Sequence, residues 1–419
     1  MKFFIRCICM CSLSCLSVSL FAQGKIKNDV FLQDLLRKNA SVFLQGILDN
    51  PDTFRYQLIY TMINRDQNNV PHFTSYYLHV DKNLYFNPAS TAKMPLAFSA
   101  LEKLNRMKIQ GVNKYTPMLT DSSFSKQSAV LTDTSSENGL PSVAQYIRKI
   151  FLVSDNDAYT RLYEFLGQQY LNENLWKKGY KDIRITRRFV PMNEEENKHT
   201  NQIRFVAGNK TIYTQAPAYS NVQFDFSKKI LIGHAHVDND NNYFPEPFDF
   251  TKANNIPLEN LQQILQSVLF PESVKPSQRF QLTKDDYRFL YQYMSEMPRE
   301  SKYPHYDTSE FFDSYCKFFF FKDGRGKIPE YIRSFNKTGW AYGFLTDVCY
   351  IVDFKHNIEF MLAGTIYTNH SQIINTDKYD YEENGYPFFK EVGNIIYNYE
   401  LERKRKHQPD LSKFKLNYK

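Results

Sequence analysis

Strand-like segments stand at both ends of this chain and helical ones in its middle, and that arrangement restricts the fold more than any other feature. Residues 55–64 and 73–80 are rich in Tyr, Ile, Thr and Val, with an Asn/Asp/Pro-bearing turn at 64–71 between them, so they read as a hairpin. After a turn at Asn87-Pro88 the period changes. From Ser90 to Met107, the residues Met94, Ala97, Phe98, Leu101 and Leu104 form one stripe of a buried helix, and Pro95 lies near enough to its start to cost little. A second helical pair surrounds 141–167: Val143, Ile147 and Ile150 make one apolar face, Ala158, Leu162 and Phe165 the next, with Ser154-Asp155-Asn156 at the corner and Gly167 as the stop. Further helices are expected at 257–269, at 283–296 behind Thr283 and at 309–321 behind Ser309. Segments 345–353 and 358–366 return to strand character around a turn at Lys355, His356 and Asn357, and 387–402 closes as a helix. The expectation is an α/β (α+β) fold: an antiparallel sheet built from both ends of the chain, flanked by helices, with the helical middle as a second lobe.

At 419 residues with 42% hydrophobic and 16% aromatic content, the chain has the make-up of an ordinary globular protein with a large core. Lys2 and Arg6, an apolar run from Cys7 to Phe21, and Ala22 before Gln23 match an export signal over residues 1–22. The body at 23–402 is then expected outside the cytoplasm, in the periplasm, with lipid attachment through Cys15 as the alternative. Four of six cysteines fall in that leader (Cys7, Cys9, Cys11, Cys15), which leaves Cys316 and Cys349, without metal-ligand spacing and free to pair or not. No later stretch is apolar and long enough to span a bilayer. The net charge of +7 is modest, and much of it lies in the tail at 403–419, where Arg403, Lys404, Arg405 and Lys406 run together. With no stacking or groove-reading motif beside it, that tail reads as solvated rather than as a nucleic-acid-binding arm.

Ser90-Thr91-Ala92-Lys93 puts a hydroxyl and an amine three residues apart at a helix start, hence on one face. A neutral lysine there can take the serine's proton, and the helix N-terminus favours negative charge developing on an attacked carbonyl. The same spacing recurs from Ser123, Ser314, Ser334 and Ser412, but only Ser90 sits between a hairpin and an apolar-striped helix. Ser154-Asp155-Asn156 occurs once, at a helix corner where a hydroxyl can relay a proton and an amide can orient substrate. Lys337-Thr338-Gly339 also occurs once, directly ahead of the C-terminal strands; the lysine can set the local potential, the threonine can bind a carboxylate, and the glycine lets substrate approach the backbone.

In this order and on these elements the three segments resemble the signatures of the serine β-lactamase and penicillin-binding protein superfamily, most closely the class A β-lactamase catalytic domain. Leu282-Thr283-Lys284-Asp285 and Ile328-Pro329-Glu330-Tyr331 look like further family segments, so the resemblance extends over roughly 30–402. It implies Ser90 as acylated nucleophile, Lys93 as its base, Ser154 as proton relay and Asn156 as orienter of the substrate's amide side chain. Lys337 and Thr338 would hold a substrate carboxylate, Gly339 would let the backbone come close, and the N–H groups of Ser90 and Trp340 would form the oxyanion hole. The implied substrate is a β-lactam or a D-alanyl peptide, with no cofactor; a D,D-carboxypeptidase, an esterase, a sensor that stays acylated and an inactive scaffold are the competing readings.

Several features depart from the family. In the run Arg188-Phe189-Val190-Pro191-Met192-Asn193, the glutamate that would activate a deacylating water is replaced by Val190, with Glu194, Glu195 and Glu196 as the nearby substitutes. Trp340 and Tyr342 are bulkier than the small residues usual after the third segment. An insert at about 195–256 separates the second segment from the third and is expected as long loops with short strands. Within it, His234, His236, Asp238 and Asp240 alternate as metal ligands could, although a polar strand end before a turn is the preferred reading, so no metal is assigned.

Overall fold

The computed structural model describes residues 26–322 and 324–418. The expected leader at 1–22, with Cys15, lies outside them. Five antiparallel strands form the main sheet: β1 (Gln57–Arg65), β2 (Pro71–Leu78), β3 (Ile332–Ala341), β4 (Phe344–Asp353) and β5 (Ile358–Tyr367), in the order β3-β4-β5-β1-β2. The first hairpin thus joins the last strand through β1 and β5, with Gln57 opposite Thr365 and Met62 opposite Phe360. The sheet built from both ends of the chain is what the sequence pattern implies.

One face of the sheet packs on α1 (Val30–Asn39) and on the C-terminal helix, Tyr386–Glu402, through Leu36, Phe388, Phe389 and Ile396 against Leu345, Ile351 and Phe360. The other face meets the helical lobe: α2 (Lys93–Met107), α3 (Val143–Val153), α4 (Asn156–Leu166), α5 (Leu258–Leu269) and α6 (Lys284–Ser295). The predicted stripe Met94, Ala97, Phe98, Leu101 and Leu104 is buried there. Thr283 caps α6 as read from the sequence: its hydroxyl accepts from Asp286 N, and the Asp286 carboxylate accepts from Thr283 N.

Three expectations are corrected. Lys337-Thr338-Gly339 is not only ahead of the strands expected at 345–353 and 358–366 but lies on a further one, β3, at the open edge of the sheet. The segment 309–321 forms turns and no helix, because its backbone is claimed by distant side chains: the Asp347 carboxylate accepts from Phe318 N and Phe319 N, and Asn336 donates to Cys316 O. The tail is solvated only in part: Lys404 and Lys406 are exposed, but much of the rest is held to the body. Arg403 and Arg405 ion-pair with the buried Glu400, and Leu411 and Phe414 enter the core beside Phe270 and Tyr350. Cys316 and Cys349 are both buried and unpaired.

Candidate active site

The chain presents Ser90 on a sharp turn. Ala89 takes a left-handed backbone (φ 44°), uncommon for a residue with a Cβ, and Ala89–Ala92 form one 3-10 turn that runs straight into α2, so that Lys93 opens the helix. Ser90 lines a cavity of about 1060 Å³, together with Ser154, Asn156 and Trp340. Among the described residues its hydroxyl has no hydrogen-bond partner, while Lys93 one turn on is fully buried.

The corner Ser154-Asp155-Asn156 joins α3 to α4. Ser154 adopts a left-handed conformation (φ 61°) that ends α3, and Asp155 caps α4 by accepting from Ala158 N. The turn therefore aims Ser154 back at Lys93. The Lys93 amine donates to Ser154 O, to Ser154 Oγ at 3.2 Å and to Asn156 Oδ1 at 2.7 Å. From the sheet, Lys337 Nζ donates to the same Ser154 Oγ at 2.8 Å and to Thr338 O at 2.7 Å. A hydroxyl has two acceptor lone pairs and one proton; with both lone pairs filled by lysine donors, the Ser154 proton is left to point elsewhere, and Ser154 is on the cavity wall. Burial disfavours charge on both lysines. Lys93 is held well below the ordinary lysine value, with the neighbouring Lys337 charge adding to the effect, and Lys337 is pushed down to about 8.

β3 abuts the Ser90 turn directly. A Cβ at Gly339 would sit 2.6 Å from Pro88 O and 2.8 Å from both Ser90 N and Thr91 N, so nothing larger than glycine fits. The hairpin to β4 turns on Tyr342 and Gly343, both with positive φ (54° and 84°), as in a two-residue type I′ turn. In such a hairpin Ala341 and Phe344 exchange hydrogen bonds, and the ladder alternates from there. Trp340 then directs its N–H to the open edge, the edge that touches Ser90 N.

Thr338 is placed differently from the expectation. Its side chain is fully buried, its hydroxyl has no partner, and it does not line the cavity. Val190 does not line it either, but Phe189 does. The Phe189 ring lies 5.2 Å from Lys93 Nζ and is stacked on Tyr159 with centroids 4.0 Å apart. Sequence reasoning passed over it, although it is the immediate neighbour of Val190. The loop that carries it is anchored by Arg188, whose guanidinium, fully buried, reaches Glu164, Glu196 O and His199 O. The three candidate acids are all paired: Glu194, which lines the cavity, with Lys252 at 2.6 Å, Glu195 with Lys198 and His199, and Glu196 with Asn193 N and Ser125.

The insert closes the far side of the cavity with aromatic rings, Phe224, Phe226 and Phe248 among them, joined by Tyr379 and Tyr381. Its histidines do not converge. His234 N donates to Gln372 O, His236 stacks on Phe244, and Asp238 caps the turn amides of Asp240 and Asn242. Among the described residues no group of His, Cys, Asp and Glu is arranged to hold a metal ion, and no helix is long and apolar enough to cross a membrane.

Residues 68–218, which carry both the Ser90 and the Ser154 segments, match the beta-lactamase enzyme family. No curated protein sequence matches this chain. Similar solved structures include a β-lactamase from Sphaerobacter thermophilus DSM 20745, at 11% identity over 85% of this chain and 95% of that one, with a TM-score of 0.45. A class A β-lactamase from Clostridium kluyveri DSM 555 is similar at 14% identity over 87% and 98%, TM-score 0.45. A β-lactamase from Xanthomonas campestris pv. campestris is similar at 13% over 88% and 98%, TM-score 0.43.

Proposed function

We propose that this chain is a member of the serine β-lactamase and penicillin-binding-protein-like superfamily and an exported serine acyl-transfer enzyme that opens a β-lactam amide through a Ser90 ester. The observation that carries the reading is the single hydroxyl, Ser154 Oγ, held between two buried lysines at 3.2 and 2.8 Å beside Ser90. As an ammonium, Lys93 spends all three protons on Ser154 O, Ser154 Oγ and Asn156 Oδ1. Losing one, which burial favours, frees a lone pair one helical turn from Ser90. Lys93 then takes the Ser90 proton as Oγ bonds to the carbonyl carbon. The oxyanion is met by the N–H groups of Ser90 and Trp340, and the C–N bond breaks as the proton passes from Lys93 through Ser154 to the leaving nitrogen. Lys337 supplies positive potential to the relay, and Asn156 orients the amide side chain. With residues 1–22 as export signal, the site works in the periplasm.

A second reading, an acyl-enzyme that persists, is favoured by Phe189. Where a carboxylate would draw a proton from water, this chain sets an aromatic ring over Lys93. Mixing the mature protein with a chromogenic cephalosporin while following intact mass separates the two. Colour beyond one equivalent supports hydrolysis, and a single lasting adduct supports the retained ester. Ser90→Ala removes either signal; an adduct or colour release that survives Ser90→Ala sinks the assignment.

A further inference from the structure

The Thr338 hydroxyl is the group on β3 that the family resemblance assigns to a substrate carboxylate, and here it is buried without a partner. Its surroundings on that face are known from its neighbours, since residues i, i±2 and the cross-strand partner share a side of a sheet. Two residues before it, Asn336 donates to Cys316 O at 2.8 Å. Directly across the ladder, Asp347 accepts from Phe318 N at 3.0 Å and Phe319 N at 3.2 Å. Two residues after it, the Trp340 ring meets Tyr315 at 5.9 Å and Phe318 at 5.7 Å. The strap Tyr315–Phe319 therefore runs over Thr338.

This strap is fastened rather than hinged. Besides the Asp347 bonds, Lys317 places its ammonium on Ser334 O, Asn336 Oδ1 and Met294 O, which uses all three of its donors. What the cavity shows at this corner is Tyr315 and Trp340 edge to face. Among the described residues no cation at that corner lines the cavity to replace the hidden hydroxyl: Lys337 is buried and donates to Ser154 and Thr338 O, and Lys322 donates to Tyr315 O. The cations on the cavity wall, Arg187, Lys198 and Lys252, belong to other segments.

We infer that Tyr315 and Trp340 close the carboxylate subsite, so that this site takes acyl donors that present an uncharged group to β3 instead of a carboxylate. The inference rests on Ser90 acylation and deepens it toward neutral esters and amides. The test compares acylation by one cephalosporin as its free 4-carboxylate and as the methyl ester of that group, each rate divided by the probe's own hydroxide reactivity. The ester is expected to acylate Ser90 at least as fast as the acid. Tyr315→Ala is expected to raise the acid-to-ester rate ratio about tenfold, whereas Tyr315→Phe, which keeps the cover, shifts that ratio little; a wild-type circular dichroism spectrum and melting temperature show that the Tyr315→Ala protein is folded. An acid that outpaces the ester on the wild type, with that advantage lost in Thr338→Val, overturns the closed subsite and leaves the Ser90 assignment standing. Failure of both probes to label Ser90 overturns the acylation reading itself.

Discussion

Lys93 has two different neighbours, and on the proposed reading the contrast between them separates making an acyl-enzyme from disposing of it. Toward Ser154 it meets a dense polar web of a carbonyl, a hydroxyl and an amide oxygen, with Lys337 closing the far side. Toward the 187–198 loop it meets only the face of Phe189. The first side is assembled by α2, the α3–α4 corner and β3, regular elements whose positions are over-determined by packing. The second is set by one loop pinned through a buried Arg188–Glu164 pair. On the proposed reading, a site so divided is prepared for attack by Ser90, and the ring of Phe189 puts no base beside Lys93 for the water that would undo it.

The strongest way to break this contrast is to remove the base. Lys93→Met is expected to slow Ser90 acylation by on the order of 10²–10⁴, the usual span for general acid–base catalysis, with the adduct's lifetime unchanged. Stopped-flow acylation followed by intact mass reads both quantities. A shortened lifetime would mean that Lys93 serves both sides. A smaller effect is expected on the other flank. Phe189→Glu puts a carboxylate beside Lys93 and is expected to speed loss of the adduct by about tenfold, short of a fully positioned base because the loop did not evolve around it. Phe189→Ala opens the same space without a base and is expected to stay within a few-fold of wild type. Equal acceleration by both variants would show that water access, rather than the missing base, limits deacylation.

The same division explains what was readable from the amino-acid order. Ser90, Lys93 and Ser154 announce themselves because local period places them: an apolar stripe identifies the helix behind Ser90, and a capping Asp155 marks the corner. β3 escaped because Asn336, Lys337 and Thr338 are buried polar residues in mid-strand, which erases the alternation by which strands are recognised. The helix expected at 309–321 failed for the converse reason. Its local pattern is helical, but Asp347, Lys317 and Asn336 bind its backbone or neighbours across long sequence separations. The tail shows the same blindness, since nothing near Arg403 and Phe414 reveals that Arg403 reaches Asn64 and Ile63 O or that Phe414 packs on Phe270 and Tyr350. Phe189 and Tyr315 act through faces that only the assembled cavity defines.

The least intrusive test changes only pH. On the acylating side two lysines titrate in opposite senses. Acylation needs neutral Lys93, whose value burial and Lys337 hold well below that of a free lysine, so the rate rises as Lys93 loses its proton. It also needs the Lys337 ammonium, and because burial brings that group down to about 8, the rate is expected to fall above that pH, about tenfold per unit at the steep limit. The descending limb is thus far earlier than the ordinary lysine value would place it, and Lys337→Arg, whose guanidinium stays charged, should move it out of range. On the Phe189 side no titrating base faces the ester, so the adduct's decay is expected to be flat between about pH 6 and 8. A decay that climbs through the carboxylate or histidine range would reveal a base reaching the ester from elsewhere on the cavity wall, and Glu194, which lines that wall, is tested by Glu194→Gln.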